Sequence, residues 1–202
     1  MLVTLLLIAV TCAVSITCFS NRGMLESLLF WPPAVARGEF HRFVTHGFVH
    51  ADGQHLLFNM VTLFFFGRAV APFFERATGP AGFPVFYLAG IVVAILPSYL
   101  RHRRDPGYRS LGASGAVSAV LFAYILMAPW SIIYVFVVPV PAILFAAAYT
   151  AYGFYAGRLG ADNVNHSAHL WGAGYGMLAA LIVEPRLGPH FIERLLSPGF
   201  LS

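Results

Sequence analysis

Gly112-Ala113-Ser114-Gly115-Ala116-Val117-Ser118-Ala119-Val120-Leu121-Phe122-Ala123-Tyr124-Ile125-Leu126-Met127 runs without a single charged residue. A short apolar run of this kind belongs to a buried core helix or to a membrane segment, and the remainder of the chain decides which. Of the 202 residues, 59% are hydrophobic and only 10% are charged, with a mean hydropathy of +0.76. A soluble domain carries about 25% charged residues. This chain cannot cover itself with polar surface, so it reads as a multi-pass integral membrane protein.

All twelve cations are arginine, and they are scattered over loops. The formal charge of +4 and the pI near 9.3 therefore fit interfacial anchoring rather than nucleic acid. Cys12 and Cys18 read as two buried thiols, with no zinc spacing and no disulfide framework. Met1 to Phe19 lacks a basic leader and a clear cleavage site, so a retained first span is expected.

Segments of about 20 mainly apolar residues mark the spans. The sequence predicts six: Leu2–Phe19, His55–Phe74, Phe83–Leu100, Ala113–Met127, Ile132–Phe154 (with Pro139 and Pro141 inside it) and Ser167–Val183. Between the first two, Ser20 to Gln54 is too polar to cross and too apolar to be a free linker. It reads as a long interfacial loop with short helices. The expected architecture is an all-α bundle of six membrane helices, one domain over residues 1–202, with a short amphipathic tail.

Spans two, four and six run in the same direction, so their first residues lie at one side of the membrane. His55 and Asn59 open span two, Ser114 opens span four and His169 opens span six. His55 and Asn59 are four apart and share a helix face. Gly172 and Gly176 form a small-xxx-small step that allows close helix approach in lipid, and Gly115, Ala116, Ser118 and Ala119 supply matching small residues. Packing spans four and six together would bring the Ser114 hydroxyl to the His169 imidazole.

A serine hydroxyl needs a base to become a nucleophile, and a histidine can supply it and later protonate a leaving amine. Most of the eight acids map to loops or span ends. Asp162 is the nearest to His169, and it precedes span six, so a Ser-His dyad is preferred to a triad. The Asn59 amide, the His55 ring and the Ser114 backbone N–H are candidate donors to an oxyanion. Gly112 and Gly115 would permit a tight turn that exposes that N–H. Each piece alone has a plainer reading as packing or helix capping; their shared depth argues for a site. His46 and His50, with His41, could instead form a metal face. No cysteine or carboxylate cluster completes such a set, and structural hydrogen bonding is the favoured reading, with no metal or cofactor expected.

These motifs resemble those of the rhomboid intramembrane serine proteases, over about Glu39 to Val183. His46, His50, His55 and Asn59 match the family's histidine pattern leading to HxxxN, Gly112, Ser114 and Gly115 match GxSG, and Ala168, His169, Gly172 and Gly176 match AHxxGxxxG. The resemblance implies Ser114 as nucleophile, His169 as base, His55 and Asn59 as oxyanion donors, and single-span membrane proteins as substrates, probed from a wet cavity. Arg42 and Glu75 are similar to the family's loop arginine and the acid closing span two. The chain departs from the pattern at His41, where tryptophan is common. It departs again at Ser118, where members often carry an aromatic residue stacked on the catalytic histidine. A different group must hold the His169 ring.

The resemblance implies a cytoplasmic N-terminus in a cell membrane (inner or plasma). That places Arg22, Arg37, Arg42, Arg101, Arg103, Arg104, Arg109 and Arg158 outside, against the positive-inside preference. Span five, loosened by its prolines, is expected to move aside for a substrate helix. Two rivals from other classes are a catalytically silent rhomboid-like protein that binds membrane helices, and a small transporter using buried histidines. The second should show internal repeats, and none is evident.

Overall fold

The computed structural model describes residues 2–160 and 164–197. Among these the fold is mostly helical, and many large apolar side chains stand on its outside. Leu2, Phe65, Val85, Phe154 and Ile182 stand exposed, whereas Thr4, Thr11 and Ser15 are fully buried. A contiguous apolar exterior of this kind suits a lipid solvent.

Helix α1 spans Leu2–Ser20. The segment after it folds into short helices α2 (Arg22–Leu28), α3 (Pro32–Ala36) and α4 (Arg42–Thr45), followed by a 3-10 turn over His46–Phe48. Asn21 caps α2 by accepting the Met24 N–H, and Pro32 occupies the first position of α3, where a missing N–H costs nothing.

Helix α5 covers Gly53–Thr78 and α6 covers Gly82–His102, separated by a turn at Gly79. Together with α1 they are the three helices long and apolar enough, by length and composition, to cross a membrane. Pro72 and Pro97 lie inside them; membrane helices tolerate this where neighbours satisfy the freed carbonyls.

Helix α7, Ser114–Met127, is the hub: eleven of its 14 residues are buried. It packs against α5, α6, α9 (His166–Val183) and α10 (Leu187–Leu196) as well as its successor α8 (Ala142–Leu159). Its length is about 21 Å, against a hydrocarbon thickness of about 30 Å.

The region between α7 and α8 corrects the sequence expectation. Instead of a span beginning at Ile132, the chain forms an antiparallel hairpin, β1 (Ile132–Val135) and β2 (Val138–Pro141), pairing Ile132 with Pro141 and Val135 with Val138. Only from Ala142 does helix begin, and it continues to Leu159. The reason is local. A run of β-branched residues favours extended backbone, and Pro139 and Pro141 lack the N–H that a helix interior needs. Phe136, at the two-residue turn, takes a left-handed φ of 57°, and its ring meets Phe58 of α5 edge-on at 5.5 Å.

Candidate active site

Backbone contact between α7 and α9 builds the centre. A Cβ added at Gly172 would overlap the Gly115 carbonyl oxygen, and one at Gly176 would overlap that of Ala119. The two helices therefore touch along their backbones, as a small-xxx-small step permits. Gly115 is pressed from its other side by Ala94 of α6. This packing leaves His169 Nε2 only 2.7 Å from Ser114 Oγ. Ser114 opens α7, so its backbone N–H is the first amide of the helix and has no acceptor within it.

The start of α9 is fixed by a residue that sequence reasoning passed over. Asn165 caps it, accepting the Ala168 N–H at 3.0 Å, while its amide donates to the hydroxyls of Tyr108 (2.9 Å) and Ser98 (3.0 Å). An asparagine just before an apolar helical run is a legible N-cap signal. Asp162, the acid considered for a triad, lies outside the described residues.

The segment between α1 and α5 holds the stretch of chain that leads into Ser114. Phe30 and Ser110 exchange two backbone hydrogen bonds, and the Gly112 N–H donates to the His46 carbonyl at 2.9 Å. The Ala113 N–H donates to His50 Nε2 at 3.3 Å, and His50 Nδ1 lies 2.9 Å from Ser15 Oγ. Ser15 donates its own proton to the Phe48 carbonyl. His50 must then be neutral, with its proton on Nδ1 and pointing at Ser15. Burial pushes its pKa down to about 3, aided by repulsion from His55. His46 is likewise pushed down to about 4 by burial, with Nδ1 donating to the Arg42 carbonyl. Both His50 nitrogens are thus committed to hydrogen bonds rather than offered to a metal.

Arg42 anchors this segment from below. Its guanidinium is buried, paired with Glu39 at 2.7 Å, and donates to the carbonyls of Glu26 and Leu29. The hydrogen bond from Arg42 holds the Glu39 carboxyl below its usual range. His41 reaches the Ser27 carbonyl at 3.3 Å.

His55 lies over Gly112: a Cβ there would come within 2.6 Å of its Cε1, and the φ of +114° is one that glycine alone adopts freely. Its ring also meets His50 edge-on at 4.9 Å. Asn59 is buried on the same helix face and donates one amide hydrogen to the His55 carbonyl at 2.9 Å, keeping a second for another acceptor.

The group opposite His169 is Tyr149 of α8. Its ring lies nearly parallel to the imidazole, 16° between planes and 6.2 Å between centroids, and its hydroxyl is 2.6 Å from Ser118 Oγ. No spacing rule links residues 118, 149 and 169, and the only sequence signal was the absence of a ring at 118.

The profile of the rhomboid domain family matches residues 37–186. This chain belongs to the rhomboid family. It is 30% identical over 177 residues to RHOMBOID-like protein 12, mitochondrial, of Arabidopsis thaliana, covering 80% of this chain and 52% of that protein. It is 30% identical over 168 residues to rhomboid protease GluP of Bacillus subtilis, covering 83% and 31%. Rhomboid-related protein 1 of Caenorhabditis elegans is 28% identical over 189 residues, covering 89% and 50%. The chain thus spans about half, or less, of the length of these relatives. Rhomboid membership and the apolar helices make it an integral membrane protein.

Proposed function

We propose that this rhomboid is an intramembrane serine endopeptidase that cuts single-span membrane proteins with a Ser114–His169 dyad. The observation that carries the reading is the 2.7 Å contact between hydroxyl and imidazole, on helices whose backbones already touch. His169 accepts the Ser114 proton on Nε2 as Oγ attacks the scissile carbonyl. Charge developing on the carbonyl oxygen is met by the Ser114 N–H, the Asn59 amide and the His55 ring, in a site of low dielectric. His169 then protonates the leaving amine, and its return as base activates the water that releases the acyl group. All of this is done by side chains and backbone amides, with Gly112 and Gly115 shaping the turn.

On this reading the chain is one domain that crosses the bilayer six times, with residues 22–52 at the interface. Parity puts the dyad on the face opposite the N-terminus, in a cell membrane. The excess of arginine on that face has a structural explanation in part. Arg42 is buried against Glu39, while Arg37 and Arg109 both lie over the Trp31 ring, at 4.8 and 4.4 Å. Arginines consumed in this way are poor votes in a topology rule that counts free loop charge.

The test is cleavage of a reporter-tagged single-span protein in liposomes by wild type, Ser114→Ala and His169→Ala. Wild type should cut and each variant should lose at least about 10³-fold. Turnover persisting in either variant rejects the dyad. Substrate capture without cleavage by wild type indicates a silent, helix-binding rhomboid instead.

A further inference from the structure

We propose that the exposed arginines closing α6, Arg101, Arg103 and Arg104, form a docking surface for the phosphate groups of anionic phospholipids in the adjoining leaflet. The proposal needs only that the chain is an integral membrane protein and does not depend on the protease reading.

Helix α6 is one of the helices long and apolar enough to cross a membrane. Val85, Leu96 and Leu100 stand 62%, 39% and 65% exposed along it. They are separated by about three turns and then about one, so they share a face. An exposed apolar face on such a helix has hydrocarbon as its solvent. Arg103 and Arg104 follow Leu100 one turn on, and Arg103 keeps helical backbone angles at the end of α6. The same face thus passes from leucine to guanidinium within a single turn. Headgroup phosphates stand at that level, and Trp31 and Tyr108, packed beside this end of α6, are the aromatic residues typical of it.

The charges are not spent within the protein. The stretch from Arg101 to Arg109 holds four arginines and a single acid, Asp105. Asp105 accepts the Gly107 N–H at 2.9 Å and lies 3.7 Å from the His102 ring. Among the described residues, Arg101, Arg103 and Arg104 enter no ion pair. The loop that follows them is held in place. His102 stacks on Tyr108 at 4.1 Å, Arg109 lies over the Trp31 ring, and Trp31 Nε1 donates to the Pro106 carbonyl. Guanidinium forks match phosphate oxygens, and a loop already ordered loses little freedom on binding. An acidic peptide would offer the same charge, but these arginines end a lipid-facing stripe, where headgroups are always at hand. A zwitterionic headgroup brings its own cation and leaves the surplus uncompensated, so the headgroup must be net anionic.

The experiment follows thermal unfolding of the full chain in dodecylmaltoside micelles titrated with dioleoylphosphatidylglycerol, dioleoylphosphatidylcholine or glycerol 3-phosphate, with native mass spectrometry counting retained lipid. Phosphatidylglycerol should raise the midpoint and stay bound in preference to phosphatidylcholine. An arginine near an anionic surface is worth roughly fivefold in partition, so Arg101→Gln/Arg103→Gln/Arg104→Gln should need about 100-fold more phosphatidylglycerol. Should the triple variant not fold, Arg103→Gln/Arg104→Gln should need about 25-fold more. Arg22→Gln/Arg158→Gln, which removes two exposed arginines outside the cluster, should titrate like wild type. Equal titration of wild type and the cluster variants, or no preference for phosphatidylglycerol, overturns the proposal. Stabilisation by glycerol 3-phosphate as strong as that by the lipid assigns the cluster to a soluble phosphate and overturns it too. Tighter retention of an acidic peptide than of phosphatidylglycerol does the same.

Discussion

His50 and Ala113 are joined by a hydrogen bond in which the imidazole is the acceptor, at 3.3 Å. The residue before Ser114 is thereby moored, through Ser15, to the first helix. The mooring works only with a neutral ring. Protonated His50 would present a donor to a donor; burial, with repulsion from His55, pushes its pKa down to about 3 and keeps the ring neutral.

Acid should therefore loosen the fold before it disables individual groups. An unfolded histidine binds its proton near pH 6.5, whereas folded His50 and His46 resist until about 3 and about 4. Their stabilisation is complete above about pH 6.5 and drains away as pH falls toward 4, at up to about 1.4 kcal/mol per pH unit for each ring. Unfolding followed in detergent against pH should show this slope. His50→Gln, which offers an acceptor and a donor without titrating, should be less stable at pH 7 yet lose about one proton from the slope. An unchanged slope would discount His50 as its source.

The glycine seam should be intolerant at two positions and indifferent at a third. Gly172→Ala and Gly176→Ala force a methyl into a carbonyl oxygen of α7, and overpacking against backbone should cost about 3 kcal/mol or more. Even where the protein survives, the helices must part, and kcat should fall about 100-fold. Gly174, with nothing within 4 Å of an added Cβ, should accept alanine with unchanged stability and turnover. Equal tolerance at all three sites, measured by melting temperature and kcat, would contradict the backbone contact.

Asn59→Leu, close in volume, should lower kcat by about 10² to 10³ with little change in KM, the signature of a donor that acts on the transition state. Because the Asn59 amide also bonds its own helix, the melting temperature should fall only slightly. A large rise in KM at constant kcat would assign Asn59 to substrate binding.

The hairpin tip meets α5 through Phe136 and Phe58. Phe58→Cys and Phe136→Cys, placed where the two rings meet at 5.5 Å, allow a short bismaleimide to tie the hairpin to α5. Cysteine-free background and linked enzyme should be labelled equally by a small fluorophosphonate, while the linked form should stop cutting a transmembrane reporter. Full turnover of the reporter after linkage excludes the hairpin as an entry gate.

Much of this was written in single residues, and some was not. The small and polar residues at His55, Asn59, Ser114 and His169 marked the candidate site because charge-free surroundings make any hydroxyl or imidazole conspicuous. Hydropathy cannot separate Ile132–Val138 from the helix that follows, since β-branched strand and apolar helix score alike, and Pro139 and Pro141 fit a kinked helix as well as the border of a strand. Ser118 announced a missing ring, but Tyr149 could be found only in three dimensions. The His50 partners, Ser15 and Ala113, lie 35 and 63 residues away, beyond any local pattern.

Helix α7 is sealed on its flanks by neighbours, so its brevity never confronts lipid. A full crossing takes about 20 residues, and α7 has 14. The residues that would extend it are held instead by the segment that Arg42 pins, with the Gly112 N–H on the His46 carbonyl and the Ala113 N–H on His50. Extending the helix backwards through Gly112 would have to break both bonds. The chain gives up helix length to keep Ser114 at a helix start, where its N–H has no acceptor in the helix.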